Sequence, residues 1–195
     1  MKISVSSVIT MDDEVFELLK KLLSKPEKKY KPEVGLELDT IGPESPNGIY
    51  VYDEKKERWV LKYLNGEFFQ PWEDGLFVVY FDNAKCPACR AYDTYWYPFV
   101  KLIGSTFRNA HYVIILCDWF AKECDSEIAR GSFQKYDVHA SPTTLLLYSS
   151  NGKIVLQDKL EGVKRMDQLA DSIQGFVDKA LKTIELQPGG GSSNS

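Results

Sequence analysis

A chain of 195 residues, 44% hydrophobic and 27% charged, has enough apolar material for one ordinary domain with a real core. Its 24 basic and 28 acidic residues leave a formal net charge of −4, and no basic stripe with interleaved aromatics is present, which argues against nucleic acid as a partner. The longest apolar runs, residues 76–81 (LFVVYF) and 112–117 (YVIILC), are strand-length and far short of the roughly 20 residues a membrane helix needs.

The opening MKISVSSVITMDDEVFELLKK carries one lysine, Lys2, ahead of Asp12, Asp13 and Glu14, and no sustained apolar stretch. That is unlike a secretory signal, so the expected compartment is the cytoplasm. Four cysteines in a cytoplasmic chain point to metal or redox chemistry more than to a disulfide scaffold. Residues 1–10 read as a short strand or a loose arm. Thr10 then precedes an acidic first turn, and Val15, Phe16, Leu18, Leu19, Leu22 and Leu23 recur at helical spacing. These predict a helix over 12–24, ended by Pro26. Residues 25–47, rich in Lys, Pro, Gly and Glu, read as loop. Residues 49–52 and 59–64 predict a hairpin with a charged turn. Residues 1–70 therefore form an N-terminal extension, a helix plus a hairpin, expected to cover one edge of the main sheet. A partner-docking surface is its alternative role.

From residue 75 the pattern is regular. LFVVYF predicts a buried strand, residues 87–103 a helix, 111–117 a second buried strand, and 126–136 a helix capped by Ser126. Residues 142–148 predict a third strand. Asn151-Gly152 is a hairpin turn, and KIVLQDKL the fourth strand. A helix over 167–184 carries the apolar stripe Leu169, Ala170, Ile173, Phe176, Val177, Ala180 and Leu181. This order predicts an α/β domain over 71–187, with its first two strands parallel and its terminal hairpin antiparallel. The tail 188–195, PGGGSSNS, is expected to be flexible.

The stretch AKCPACRAY, residues 84–92, places Cys86 where a strand and short loop give way to a helix. A helix N-terminus offers unpaired N–H groups and a partial positive charge, both of which favour a thiolate. Pro87 suits the first helical turn. Lys85 and Arg90 add positive charge. Cys89 lies one turn further in, on the same face, and is expected to be the more buried. In this arrangement Cys86 attacks a substrate disulfide and Cys89 resolves the mixed disulfide.

Fifty residues on, KYDVHASPTTLLLYSSNGK (135–153) resembles the second signature of the thioredoxin superfamily. The resemblance spans about residues 75–185. It implies a thioredoxin-like fold, a central mixed sheet flanked by helices, with Pro142 as the family's cis-proline beside the dithiol. It also implies that Ser141 pairs through its backbone with an extended substrate peptide. Asp137 stands where the family usually has Gly. Other departures are informative. The family's buried acid, six residues before the first cysteine, is replaced by Tyr80, a poor base. Asp82 is the nearest substitute, on the same sheet face by alternation. Lys85 replaces the family's Trp, and Pro98 lies nine residues past the second cysteine rather than about five. The middle pair Pro-Ala implies a potential between about −270 and −120 mV.

Cys117 and Cys124 leave three readings open: a disulfide contributing roughly 2.5 kcal/mol, two ordinary thiols, or zinc shared with Cys86 and Cys89. The last is disfavoured by the wide spacing of CDWFAKEC. His139, three residues before Pro142, is a candidate tuner of the dithiol or a solvated loop side chain; His111 begins a strand and reads as structural. The expected activity is thiol–disulfide exchange with protein clients, with no cofactor or metal, no membrane, a monomeric chain, and a separate reductase or oxidant that recharges the pair. The competing reading is a non-catalytic interaction module in which Cys86–Cys89 is a structural disulfide.

Overall fold

The computed structural model describes residues 33–186. The helix expected over 12–24, the segment 1–10 and the tail 188–195 lie outside the described residues. Among the described residues seven strands form one sheet: β1 (Glu37–Leu38), β2 (Gly48–Asp53), β3 (Arg58–Tyr63), β4 (Gly75–Asn83), β5 (Ala110–Cys117), β6 (Thr143–Ser150) and β7 (Lys153–Glu161). Three α-helices accompany them: α1 (Pro87–Leu102), α2 (Glu127–Lys135) and α3 (Met166–Glu185).

The spatial order is β1-β3-β2-β5-β4-β6-β7. The centre, β4, pairs parallel with β5 and antiparallel with β6. All nine of its residues are buried, because helices cover both faces of the sheet. A strand in that position reads as a continuous apolar run rather than an alternating one. Alternation still sorts its side chains. Leu76, Val78 and Tyr80 join the cluster built with Tyr92, Trp96 and Phe99 of α1 and Leu169, Ile173 and Phe176 of α3. Phe77, Val79 and Phe81 join Ile128, Ala129 and Phe133 of α2 on the other face.

The hairpin β2–β3 pairs antiparallel, and β2 in turn pairs antiparallel with β5. It was expected to pack on the main domain as an extension. It covers the β5 edge by hydrogen-bonding into the same sheet, so the backbone groups of that edge are satisfied directly. The segment read as loop over 25–47 contains the two-residue strand β1, paired with β3. At the opposite edge Asn151 and Gly152 have φ of +53° and +70°, the left-handed pair a tight hairpin needs. The Asp74 carboxylate accepts from both of their N–H groups, at 2.7 and 3.0 Å.

Candidate active site

Strand β4 ends at Asn83, and three residues later the chain enters α1. Ala84 N–H donates to the Cys117 carbonyl at 2.9 Å, Lys85 N–H to the Asp118 carbonyl at 3.2 Å, and Cys86 N–H to the Asn83 carbonyl at 2.9 Å. These bonds fix the short loop and set Cys86 at the helix N-cap, with Pro87 in the first turn. Cys89 follows one turn later on the face turned to the core. Both are free thiols, with Cys86 6% exposed and Cys89 fully buried.

The segment before β6 closes over them. The Ser141–Pro142 peptide is cis. The Ser141 carbonyl lies 3.6 Å from Cys86 Sγ, and the Ser141 hydroxyl 2.8 Å from Cys89 Sγ. One residue thus meets both sulfurs, and its carbonyl shields Cys86. Cys86 is thereby covered as well, and Cys89 is the more buried of the two, as expected. Asp137 has φ of +51°, left-handed as expected where glycine is usual.

Beneath the dithiol lies a buried polar cluster. Asp82 is fully buried and on the same face as Tyr80. Arg90 Nη2 donates to both Asp82 carboxylate oxygens at 2.5 Å, and Arg90 Nε pairs with Asp93 Oδ2 at 3.2 Å. The Tyr80 hydroxyl lies 3.2 Å from Asp82 Oδ1, 3.2 Å from Asp93 Oδ1 and 3.3 Å from the Cys89 carbonyl. The Asp82 carboxylate is within hydrogen-bonding reach of the Cys89 thiol.

Burial dominates the electrostatics. It raises the Asp82 carboxyl against the opposing pull of Arg90. Burial, then the Asp82 charge, raise the Cys89 thiol well above its ordinary value. The same two causes push Asp93 up to about 7.

Three expected tuning roles change. Lys85 forms an ion pair with Glu123, and Arg90 is engaged by two carboxylates, so neither is an uncompensated charge beside Cys86. His139 turns to Asp137 Oδ1 at 2.6 Å with a side chain 82% exposed, and it lines a hollow with Trp119, Phe120, Phe133 and Val138. It is a solvated loop side chain. His111 packs against Phe77 and Trp72 and faces Glu73, a structural setting as expected. Cys117 and Cys124 are joined by a disulfide with a Cα–Cα distance of 4.7 Å, which takes both sulfurs away from any four-cysteine zinc site. Asp93 was missed. Its signal was its spacing, four residues after Cys89 and three after Arg90, which sets all three on one helix face.

The strand order, the helices on both faces and the dithiol at the β4–α1 junction define a mixed α/β protein of thioredoxin-like fold. Two solved structures are similar to it. One is thioredoxin from Aeropyrum pernix, with 18% identity and a TM-score of 0.45 over 68% of this chain and 97% of that one. The other is chloroplastic thioredoxin z, with 11% identity and a TM-score of 0.39 over 54% of this chain and 80% of that one. No family model and no curated protein matches the sequence.

Proposed function

We propose that the chain is a thiol–disulfide oxidoreductase acting on protein clients through Cys86 and Cys89. The observation that carries this reading is the meeting of both free sulfurs with one residue, Ser141. Cys86, at the helix N-terminus, is the nucleophile. Its thiolate attacks a client disulfide and forms a mixed disulfide. Cys89, buried behind it, attacks Cys86 Sγ and releases the client thiolate. A client strand that pairs with the backbone at Ser141 displaces the carbonyl lying over Cys86 and opens the sulfur to attack. Asp82 is the nearest carboxylate to the resolving thiol and serves as its proton acceptor. The electrons reside in the two sulfurs, and a separate reductase or oxidant restores them.

We place the protein in the cytoplasm as a monomer. No described helix is long and apolar enough to cross a membrane. The Cys117–Cys124 disulfide is unusual in a reducing compartment, but both of its cysteines are buried, which shields them from soluble thiols.

The 6% exposure of Cys86 favours a second reading, an interaction module whose dithiol closes into a permanent staple. Substitution separates the two. Cys86→Ser abolishes exchange and Cys89→Ser accumulates mixed disulfides with clients, seen as thiol-sensitive adducts on non-reducing gels. Full activity in both variants, with no adducts, would sink the oxidoreductase reading.

A further inference from the structure

We propose that Asp82 and Asp93 act as one carboxylate pair holding a single shared proton across the Tyr80 hydroxyl, and that Asp93 is the end through which the Cys89 proton reaches solvent. The inference rests on the oxidoreductase reading and adds to it a route for the proton.

Three observations converge. First, the Tyr80 hydroxyl has one proton to donate and three acceptors at 3.2–3.3 Å. With both carboxyls ionised, at least one of these contacts sets lone pair against lone pair. A proton on either carboxyl turns that contact into a hydrogen bond to the phenol oxygen. Second, one guanidinium serves two carboxylates. The cluster carries a net negative charge in a buried site, and such a site gains a proton readily. Third, Asp82 has no access to water, whereas the Asp93 side chain is 15% exposed. The groups facing the pair are Tyr80 from β4, and Cys89, Arg90 and, one turn further on, Tyr97 from α1.

In the resolving step the Cys89 S–H bond breaks and its proton passes to the Asp82 carboxylate. The Cys89 thiolate attacks Cys86 Sγ, the Cys86–Cys89 bond forms, and the bond to the client sulfur breaks. Two electrons leave with the client thiolate. The proton is then exchanged to Asp93 and released to water or to that thiolate. Asp93 touches neither reacting sulfur, so it is a positioning residue that acts through Asp82.

The test uses the full chain and a mixed disulfide preformed between Cys86 and a cysteine peptide carrying a fluorophore. Release of the peptide is followed from pH 5.5 to 9. The wild type is expected to show a rate rising with pH through an inflection near neutrality. In Asp93→Asn the Asp82 carboxylate no longer shares Arg90 with a second carboxylate, so the inflection moves to lower pH and the plateau falls roughly tenfold. A packing role would scale the rate without moving the inflection. An inflection unchanged in Asp93→Asn overturns the proposal. Carboxyl carbon NMR of the reduced wild type gives a readout independent of turnover: the two carboxyls titrate together, above the ordinary carboxylate range, and Tyr80→Phe separates the two transitions. Both carboxyls ionised by pH 5 would overturn the shared proton even if exchange is fast. A wild type that never releases the peptide, with the paired titration intact, would count against the oxidoreductase reading and with it the proton's catalytic use.

Discussion

At the scale of single residues, the site is a contest between burial and one guanidinium. Asp82 and Asp93 share Arg90, and burial wins at both carboxyls. A consequence for stability follows at Asp93. Its folded value of about 7 lies above its ordinary 3.8, so the folded chain binds that proton more tightly than the unfolded one. The resulting stabilisation is complete below pH 4 and is lost as pH rises through about 7. Asn cannot lose it. Asp93→Asn should therefore gain stability relative to wild type between pH 4 and pH 8, on the order of 4 kcal/mol. Urea unfolding at the two pH values checks this, and an equal difference at both contradicts it. Alternation along β4 made the shared face of Tyr80 and Asp82 legible in the sequence. Arg90 was legible only as a charge near Cys86, because nothing in a linear reading shows that a surface-type residue has two buried partners. The cover over Cys86 was equally hidden, since it comes from a segment 55 residues away.

At the scale of elements, α2 packs on the sheet face opposite the dithiol, and the stapled loop before it is bonded to the turn that carries Cys86. Ser126 caps α2, accepting from Ala129 N–H and donating to the Leu64 carbonyl, as its position before the helix predicted. Gly131 sits inside this helix, where glycine costs up to about 1 kcal/mol relative to alanine. The close approach of another segment explains it: a Cβ there would lie 1.7 Å from the Glu67 carbonyl oxygen. Gly131→Ala should destabilise the fold by about 3 kcal/mol or more, contrary to helix propensity, as a melting curve would show. The loop 118–123 is closed by Cys117–Cys124 and tied to the turn before Cys86 by Phe120 N–H donating to Asn83 Oδ1 at 2.5 Å. Replacing both cysteines by alanine should cost roughly 2.5 kcal/mol on the loop-entropy account, measured by chemical denaturation without reductant. An unchanged midpoint would mean the loop is held without the bond. Spacing left this pairing open because seven residues permit a bridge without requiring one. Among the described residues the main elements were legible to within two residues at each end, since their apolar patterns are strong. The short β1 was not, as two residues carry no period.

At the scale of the whole molecule, one sheet with a hydrophobic cluster on each face holds the dithiol at the turn and helix start that follow its central strand. The layer order was readable from chain order alone. That the hairpin covers an edge was readable too; that it joins β5 in the same sheet was not, because alternating residues report a half-buried strand without naming its neighbour. Its union with β5 makes the hairpin part of the scaffold that holds β4 and the turn after it. The account's central claim is that Cys86 and Cys89 form a working redox couple on this scaffold. Its most direct test is equilibration of the full chain in graded thiol buffers, alkylation of free thiols with a mass tag, and assignment by peptide mass spectrometry. A reversible Cys86–Cys89 transition between about −270 and −120 mV, with Cys117–Cys124 oxidised throughout, is the predicted result. A Cys86–Cys89 pair that remains oxidised below about −300 mV would contradict it and mark the pair as a structural staple.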